Sequence, residues 1–278
     1  MHGRAHVSRV FAEAMLRLKE KNKDAINLNI CVAVSDIESE NVCKNYGFNY
    51  VVTDNKPLGA KWNRAAELAG TFDNDYVVIF GDDDIPSDDF FNSHVMDAIH
   101  RNEPHFGFNQ IYFADVQNEK GCIFKYDHLK LVGCGRFISI EAFQRLAINT
   151  RFRWAQNYLI GDVPGVCISQ TVEWLDMESA IYFRNERLGF IHGEPTFRIW
   201  EDHLNKSLDR CIEMRLVRLG YLPKVIDTGL PVITDLKSGV NIWQYDHISP
   251  LSVAVPYDQA LSSLSEKEKQ IVRSWKTN

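Results

Sequence analysis

Residues 77–84 of this chain, Val-Val-Ile-Phe-Gly-Asp-Asp-Asp, restrict its fold more than any other stretch. The first four are apolar and mostly β-branched, so they favour a strand that is buried on both faces, as strands are in α/β sheets. The three carboxylates that follow cannot share an apolar core unless they are paired or bind a cation. They are therefore expected at the carboxyl end of the strand, which is the edge where open α/β sheets bind ligands.

The first third of the chain alternates between helix and strand patterns that are separated by short loops. Apolar residues recur at helical spacing in some segments, and short apolar runs bounded by turn residues favour strands in others. In chain order, the pattern predicts a helix over 8–23, a strand over 28–34, a helix over 38–46 that ends at Gly47, a strand over 48–53, a helix over 60–69 and a strand over 75–80. This alternation is typical of a parallel, doubly wound sheet.

The remaining chain is less regular. The sequence predicts strands over 106–116, 122–126, 224–228 and 231–234, and helices over 88–101, 141–147, 208–219 and 262–275, with residues 136–139 leading into the second of these helices. The first two of these strands flank a turn at 118–121 and are predicted to be antiparallel.

Composition narrows the class of protein. The 278 residues contain no apolar run of transmembrane length, and residues 1–17 lack the apolar core of a signal peptide. The six cysteines form no Cys-x-x-Cys pair, which predicts reduced thiols and a cytoplasmic protein without a membrane span. The net charge of -6 indicates no general attraction for nucleic acid or anionic membranes.

The acidic triplet allows two interpretations. Carboxylate oxygens suit Mg²⁺ or Mn²⁺, which usually also bind substrate phosphates, so Asp82, Asp83 and Asp84 predict a metal and phosphate site. The alternative is a solvated acidic turn in which Ser87 caps the following helix.

Four segments then occur in a particular order. They are Lys56-Pro-Leu-Gly-Ala-Lys61-Trp-Asn63 at the start of a helix, the acidic strand end, Gly133-Cys-Gly-Arg136-Phe-Ile-Ser139, and Leu208-Asp209 on the helix that closes with Arg215-Leu-Val-Arg-Leu-Gly220-Tyr221. This ordered set resembles the family-2 glycosyltransferases with the GT-A fold, over roughly residues 28–243.

The resemblance implies an α/β fold of the GT-A type: a Rossmann-like, mixed, mostly parallel sheet flanked by helices, with a variable acceptor-side segment. It implies one catalytic domain over 1–250, followed by a helical tail over 251–278. Within the domain, a nucleotide-binding half covers 1–104 and an acceptor half covers 105–250, with an insertion near 151–197. In one departure from the family, no strand precedes the first helix. Arg4 stands where the nucleotide-contacting loop after that strand is expected.

The resemblance also implies an activity, namely metal-dependent transfer of a sugar from a nucleoside-diphosphate sugar, with a UDP-sugar favoured, to a hydroxyl acceptor with inversion. Mn²⁺ or Mg²⁺ would neutralise charge on the leaving diphosphate. The metal ligands it implies are Asp84 and Asp235, with His203 as an alternative to Asp235. The implied nucleotide-sugar contacts are Arg4, Asp36, Lys61, Asn63, Asp82, Asp83, Arg136 and Lys237, the last from a flexible loop beyond the strand over 231–234.

Inversion requires a general base that takes a proton from the acceptor hydroxyl. Asp209 matches the acidic residue at the start of the family's helix, because Arg215 follows it by six residues as in the family pattern. Asp176 and Glu178 are alternatives, because Glu178 has a similar spacing to a later arginine and glycine. Each could instead be an exposed acid that the helix dipole stabilises.

Several functional alternatives stay open at this point. Asp36 could simply cap a helix, and Lys61 could be a solvated lysine. The chain could be a nucleotidyltransferase, which also combines acids, a cation and a nucleotide, or a non-catalytic sugar-nucleotide-binding protein. The acceptor could be a glycan, another polymer or a modified base in nucleic acid, since scattered arginines and lysines could bind an anionic partner.

Overall fold

The computed structural model describes residues 1–126, 130–149, 199–200, 204–205, 208–239 and 244–275, and the backbone of short strands at 153–155, 168–169 and 172–175. These residues form an α/β architecture in which mixed sheets are flanked by helices, as the sequence predicts at this level. None of the helices in these ranges has the length and apolar character needed to cross a bilayer.

The first part of the chain follows the predicted alternation. Its elements are α1 (Ala5–Asn22), β1 (Cys31–Val34), α2 (Ile37–Tyr46), β2 (Asn49–Val52), α3 (Leu58–Ala69) and β3 (Tyr76–Ile79). The end of α2 shows most clearly how the sequence determines an element boundary. Gly47 has a φ of 66°, the left-handed conformation that glycine adopts without a side-chain clash, and its N–H bonds to the last turn of the helix.

The segment after the acidic triplet differs from the prediction of a helix over 88–101. A short strand, β4 (Asp84–Pro86), comes first, and the helix α4 (Ser93–His100) starts later. Asn92 caps this helix by accepting a hydrogen bond from the N–H of Val95 at 3.1 Å. Ser87 does not cap it, because the N–H of Ser87 extends β4 by donating to the carbonyl of Val232 at 2.8 Å.

The second part of the chain supplies most of the remaining strands. Its elements are β5 (His105–Gly107), β6 (Gln110–Asp115), β7 (Lys120–Lys125), β8 (Arg136–Ser139), α5 (Ile140–Asn149), β9 (Arg153–Ala155), β10 (Ile168–Ser169), β11 (Val172–Leu175), α6 (Leu208–Arg218), β12 (Lys224–Val225), β13 (Ile233–Lys237), α7 (Tyr245–Ile248), β14 (Val253–Val255), α8 (Tyr257–Ala260) and α9 (Glu266–Ser274). The predicted single strand over 106–116 is two strands, β5 and β6, which belong to different sheets.

The sheets are mixed rather than mostly parallel. The strand orders are β1-β2, β12-β5-β8-β3 and β14-β7-β6-β13-β4, with a small sheet of β10-β11-β9. Among the described pairings, β1–β2, β5–β12 and β6–β13 are parallel and the others are antiparallel. The sheets are less parallel than predicted for two reasons. β8 runs antiparallel between β3 and β5, and β6 and β7 form the antiparallel hairpin that the sequence predicts.

The carboxyl-terminal residues belong to the same packed body as the first helix. The guanidinium of Arg17 in α1 donates to Glu268 in α9 at 2.8 Å and to the carbonyl of Pro86 at 2.8 Å. The strand β14 pairs with β7, and Leu261 and Leu264 join the apolar core that contains Phe11. The segment predicted as a helical tail over 251–278 therefore contains the strand β14 and the helices α8 and α9, and both helices contribute to the core.

Candidate active site

A cavity of about 2510 Å³ runs alongside β1 and β3, and its lining includes residues 25–33 and 73–83. The charged residues that line it include Arg4, Lys61, Asp82, Asp83, Asp209 and Lys237. The acidic end of β3 therefore faces a ligand-sized space, as its position after a buried strand predicts.

Two of the predicted metal ligands lie opposite each other. β4 and β13 pair in antiparallel fashion with Asp84 in register with Asp235. The N–H of Gly81 donates to Asp84 Oδ2 at 2.7 Å, and Lys237 Nζ donates to Asp235 Oδ2 at 2.7 Å. A pair of carboxylates and one ammonium are thus fixed on neighbouring strands.

The environment disfavours negative charge on these carboxylates. Burial, together with the charges of Asp235 and Asp83, raises the pKa of Asp84 well above its ordinary value. Burial raises the pKa of Asp235 to about 7, against the opposing effect of Lys237. Asp235 Oδ1 is buried and has no hydrogen-bond partner within the described residues. The pair therefore offers oxygen ligands whose ionised form is disfavoured without a cation and would be stabilised by one.

The donor set suits a metal ion that is shared with a substrate. Within the described ranges, no three or more His, Cys, Asp or Glu side chains form a group that could hold a metal ion. Mg²⁺ is usually bound through one or two carboxylates, with waters and substrate phosphates as its other ligands. Asp84 and Asp235 match that pattern rather than a cage built only from protein.

The first two acids of the triplet are tied to α1. Arg4 forms ion pairs with Asp82 and with Asp83, the latter at 3.2 Å, and Ser8 Oγ donates to Asp82 at 3.0 Å. Burial alone would raise the pKa of Asp82, but the positive charges of the amino terminus and Arg4 lower it below its ordinary value. Asp82 is therefore an ionised group with fixed partners, and it holds Arg4 at the cavity wall.

The two predicted phosphate-binding lysines are both buried. Lys61 is 6% exposed and donates to the carbonyl of Met1 at 2.9 Å and to Asn55 Oδ1 at 3.1 Å, so it is not a solvated lysine. Lys237 is 4% exposed, and its Nζ lies 5.0 Å from the centroid of the Phe113 ring. The prediction of a flexible loop at Lys237 is wrong, because this residue belongs to β13 and pairs in register with Asp115 of β6.

Asp209 begins α6 and reaches the same cavity. Its carboxylate lies against Gly133 so closely that a Cβ atom at that position would overlap it. Asp209 is open to solvent through the cavity, but the protein around it raises its pKa despite the nearby charge of Arg136. This acid is therefore available to ligands, and its pKa lies above the ordinary value of an aspartate because the surrounding protein desolvates it.

Cys134 connects the two groups of acids. A hydrogen bond joins its thiol to Asp84, and burial together with Asp84, Asp235 and Asp209 raises its pKa well above the ordinary value. The sequence predicts only a reduced thiol at this position and assigns it no place in the site. The only signal for its position was the pair of flanking glycines, which allow close approach of neighbouring groups.

Three predicted nucleotide-sugar contacts have structural partners and do not line the cavity. Arg136 is fully buried and donates to the carbonyl of Asp209 at 3.1 Å and to Glu213 at 3.0 Å, so it anchors the start of α6. Asp36 caps α2 by accepting from the N–H of Ser39 at 2.8 Å.

Asn63 is the third of these residues, and it supports the backbone of residues 199–200. Its Oδ1 accepts from the N–H groups of Ile199 and Trp200 at 2.9 and 3.0 Å, and its Nδ2 donates to the carbonyl of Trp200 at 2.7 Å. Asn63 thus positions a neighbouring segment rather than a ligand.

Three alternative site residues lie outside the part of the chain that the structure describes. They are Asp176 and Glu178, the alternatives to Asp209 as base, and His203, the alternative to Asp235 as metal ligand.

The pKa of Asp235 predicts how stability without metal changes with pH. Its folded-state pKa of about 7 exceeds the ordinary value of 3.8, so between these values the folded protein binds more protons than the unfolded chain. Stability should therefore fall as pH rises through this window, by at most about 1.4 kcal/mol per pH unit from this group. Melting temperatures in EDTA from pH 5 to 8 would test this. An unchanged slope in Asp235→Asn would contradict it.

No protein-family model matches this chain, and no curated protein matches it.

Proposed function

We propose that this protein is a metal-dependent glycosyltransferase of the family-2, GT-A type. It would move a sugar from a nucleoside-diphosphate sugar, with UDP as the favoured nucleotide, to a hydroxyl acceptor with inversion. The observation that carries the proposal is the pair Asp84 and Asp235 beside Lys237, a lysine that lines the cavity together with Asp83 and Asp209. The mixed α/β architecture is compatible with this fold.

Asp84 and Asp235 would hold Mn²⁺ or Mg²⁺. When bound, the cation would supply positive charge to the diphosphate as it leaves. The partnerless oxygen of Asp235 and the mutual repulsion of the two carboxylates support this role, because both are relieved by a cation.

The positive side chains of the cavity suit the rest of the diphosphate. Lys61, Lys237 and Arg4 all line it. Lys237 is paired with Asp235 in this structure, and a cation on Asp235 would free the ammonium to interact with phosphate oxygens. Lysine acts there as a compact point charge, which stabilises the negative leaving group.

Asp209 is the proposed general base. Its raised pKa brings it nearer the operating pH, at which a base is most effective. Arg136 fixes the first turn of α6 through the Asp209 carbonyl, which leaves the carboxylate free to accept the proton of the acceptor hydroxyl. Tyr126, Lys130 and Glu213 line the cavity on this side and would contact the acceptor.

We expect Lys237→Ala to weaken UDP binding in the presence of Mn²⁺ by about tenfold, or about 1.4 kcal/mol, through loss of one charge beside the diphosphate. Isothermal titration calorimetry would measure the change. Lys120→Ala is the matched control, because Lys120 is exposed at the start of β7 and does not line the cavity. Equal UDP affinity in wild type and Lys237→Ala would remove Lys237 from the proposed site.

The function is tested by a thermal-shift screen of UDP-, GDP- and CDP-sugars, each with and without Mn²⁺, since a bound ligand raises the melting temperature. The stabilising donor is then incubated with the protein and candidate glycan, polymer and nucleic-acid acceptors. Sugar transfer with release of the nucleoside diphosphate supports a glycosyltransferase. Stabilisation without transfer or donor hydrolysis would favour a binding protein. Pyrophosphate formation from a nucleoside triphosphate and a sugar phosphate would favour a nucleotidyltransferase.

A further inference from the structure

Gly133 packs directly against the proposed base. It lines the cavity, as Asp209 does. A Cβ atom on Gly133 would have three atoms of the Asp209 carboxyl group as its nearest neighbours, with Oδ1 at 2.6 Å and with Cγ and Oδ2 closer still. Non-bonded carbon atoms pack at about 3.5–4.0 Å, so any side chain at this position would displace the carboxylate by about 1 Å or more.

Glycine is needed at this position for space rather than for backbone conformation. Glycine is otherwise favoured where φ is positive, and the positive-φ glycines of this chain include Gly135 but not Gly133. An alanine at position 133 could therefore keep the same backbone conformation, and the first atoms that its methyl group would meet belong to Asp209. The absence of a side chain thus leaves room for one neighbour, the Asp209 carboxylate.

The backbone on both sides of Gly133 is bonded to neighbouring strands. The N–H of Val132 donates to the carbonyl of Phe108 at 2.7 Å, and the N–H of Gly135 donates to the carbonyl of Ile79 at 2.8 Å. Ile79 is the last residue of β3, the strand that the acidic triplet follows. The segment is therefore held in place relative to β3 and to the carboxylates at its end.

The next two residues connect this segment to the proposed metal ligands. The thiol of Cys134 is hydrogen-bonded to Asp84, and Gly135 lies so close to Ile233 that a Cβ atom on the glycine would overlap this side chain. Ile233 begins β13, the strand that carries Asp235. Three consecutive residues thus contact the proposed base, one proposed metal ligand and the strand of the other ligand.

The backbone of Asp209 is held, while its side chain can rotate. The Asp209 carbonyl accepts from Arg136 at 3.1 Å, and the carbonyl of Leu208 accepts from Trp200 Nε1 at 3.2 Å, so two buried side chains anchor the start of α6. The carboxylate lines the cavity, where it has space to turn away from a new methyl group. A small side chain at Gly133 should therefore move the carboxylate and leave the fold intact.

We propose that Gly133 is a positioning residue for the general base. Its missing side chain sets where the Asp209 carboxylate lies, and the bonded segment around it fixes that place relative to the metal ligands. The inference rests on the proposed role of Asp209. A misplacement of about 1 Å can cost on the order of 10²-fold in rate, so this one methyl-sized space would affect turnover.

The kinetic test compares wild type, Gly133→Ala, Asp209→Asn and the double variant at saturating donor and acceptor. Gly133→Ala should lower kcat by about 10- to 100-fold and leave the donor KM and the Mn²⁺ and UDP affinities near wild type. In the Asp209→Asn background it should change the rate by less than about threefold, because the group that it displaces is no longer a base.

Gly229→Ala is the matched control. Its methyl group would meet nothing within 4 Å, but its φ of 71° strains an alanine, so this variant loses stability without touching the cavity. It should lower the melting temperature and keep the wild-type kcat. Gly133→Ala should show the opposite combination, with a melting temperature near wild type and a reduced kcat.

A crystal structure of Gly133→Ala gives a readout that does not depend on activity. We expect the Asp209 carboxylate to shift by about 1 Å or more, with α6 in its wild-type position. An unmoved carboxylate would overturn the proposal, as would a wild-type kcat in Gly133→Ala or an equal loss of rate in the Asp209→Asn background. If the wild type transfers no sugar, the proposed function fails, and the carboxylate position alone then supports or overturns the role of Gly133.

Discussion

Asp84→Asn should abolish metal-dependent binding of the sugar nucleotide while the protein stays folded. The change removes one of the two carboxylates that face each other across β4 and β13. Loss of a residue that only supports a metal ligand typically costs 10–100-fold in metal affinity, so loss of a ligand itself should cost on the order of 100-fold or more. Titration of Mn²⁺ in the presence of UDP, followed calorimetrically, measures this.

The same substitution has a second expected effect that separates it from general damage. Asparagine keeps an oxygen for the N–H of Gly81 but removes the repulsion between Asp84 and Asp235. The melting temperature without metal should therefore be equal to or above that of wild type. Asp227→Asn is the control, since Asp227 is exposed and does not line the cavity. Unchanged Mn²⁺ affinity in Asp84→Asn would exclude Asp84 as a ligand.

Asp209→Asn should lower turnover by on the order of 10²-fold or more, as loss of a general base does. Binding of Mn²⁺ and UDP should stay near wild type, because Asp209 is separated from Asp84 and Asp235 by the Gly133–Cys134 segment. The measurement is the initial rate of sugar transfer at saturating donor. The pH profile of the wild-type rate should rise with pH as Asp209 loses its proton, since only the ionised carboxylate accepts one.

Glu178→Gln and Asp176→Asn are the parallel variants for the competing base assignments. Full turnover in Asp209→Asn, with a large loss in either of the others, would move the base to that residue. A loss of UDP binding equal to the loss of turnover in Asp209→Asn would instead make Asp209 a binding residue.

Features that depend on local sequence could be predicted well. The glycine stop of α2 and the placement of the acidic triplet at the carboxyl end of β3 follow from spacing and residue type alone, whereas the predicted full burial of β3 is wrong, because only Ile79 of this strand is buried. The helix pattern over 208–219 also predicts α6 correctly, with Asp209 in its first turn.

Features that depend on tertiary contacts between distant parts of the chain could not be predicted. A strand pattern shows which residues are extended but not which strand lies beside them, so the pairing of β4 with β13 and the separation of β5 from β6 were missed. Arg136 and Asn63 are polar residues in the expected motif, but their charged or amide groups bind backbone carbonyls and N–H groups inside the protein. Only the tertiary contacts distinguish such support from ligand binding.

The register of Asp84 with Asp235 also has a consequence for how the protein is made. The two residues lie far apart in the chain, and β13, which carries Asp235, must insert between β4 and β6. Such non-local pairing is slow, because a long loop closes before its contacts form. During synthesis the first half of the chain would emerge with its carboxylates still lacking their opposite strand. The site would therefore assemble among the last steps of folding, after the ribosome has released the residues that complete it.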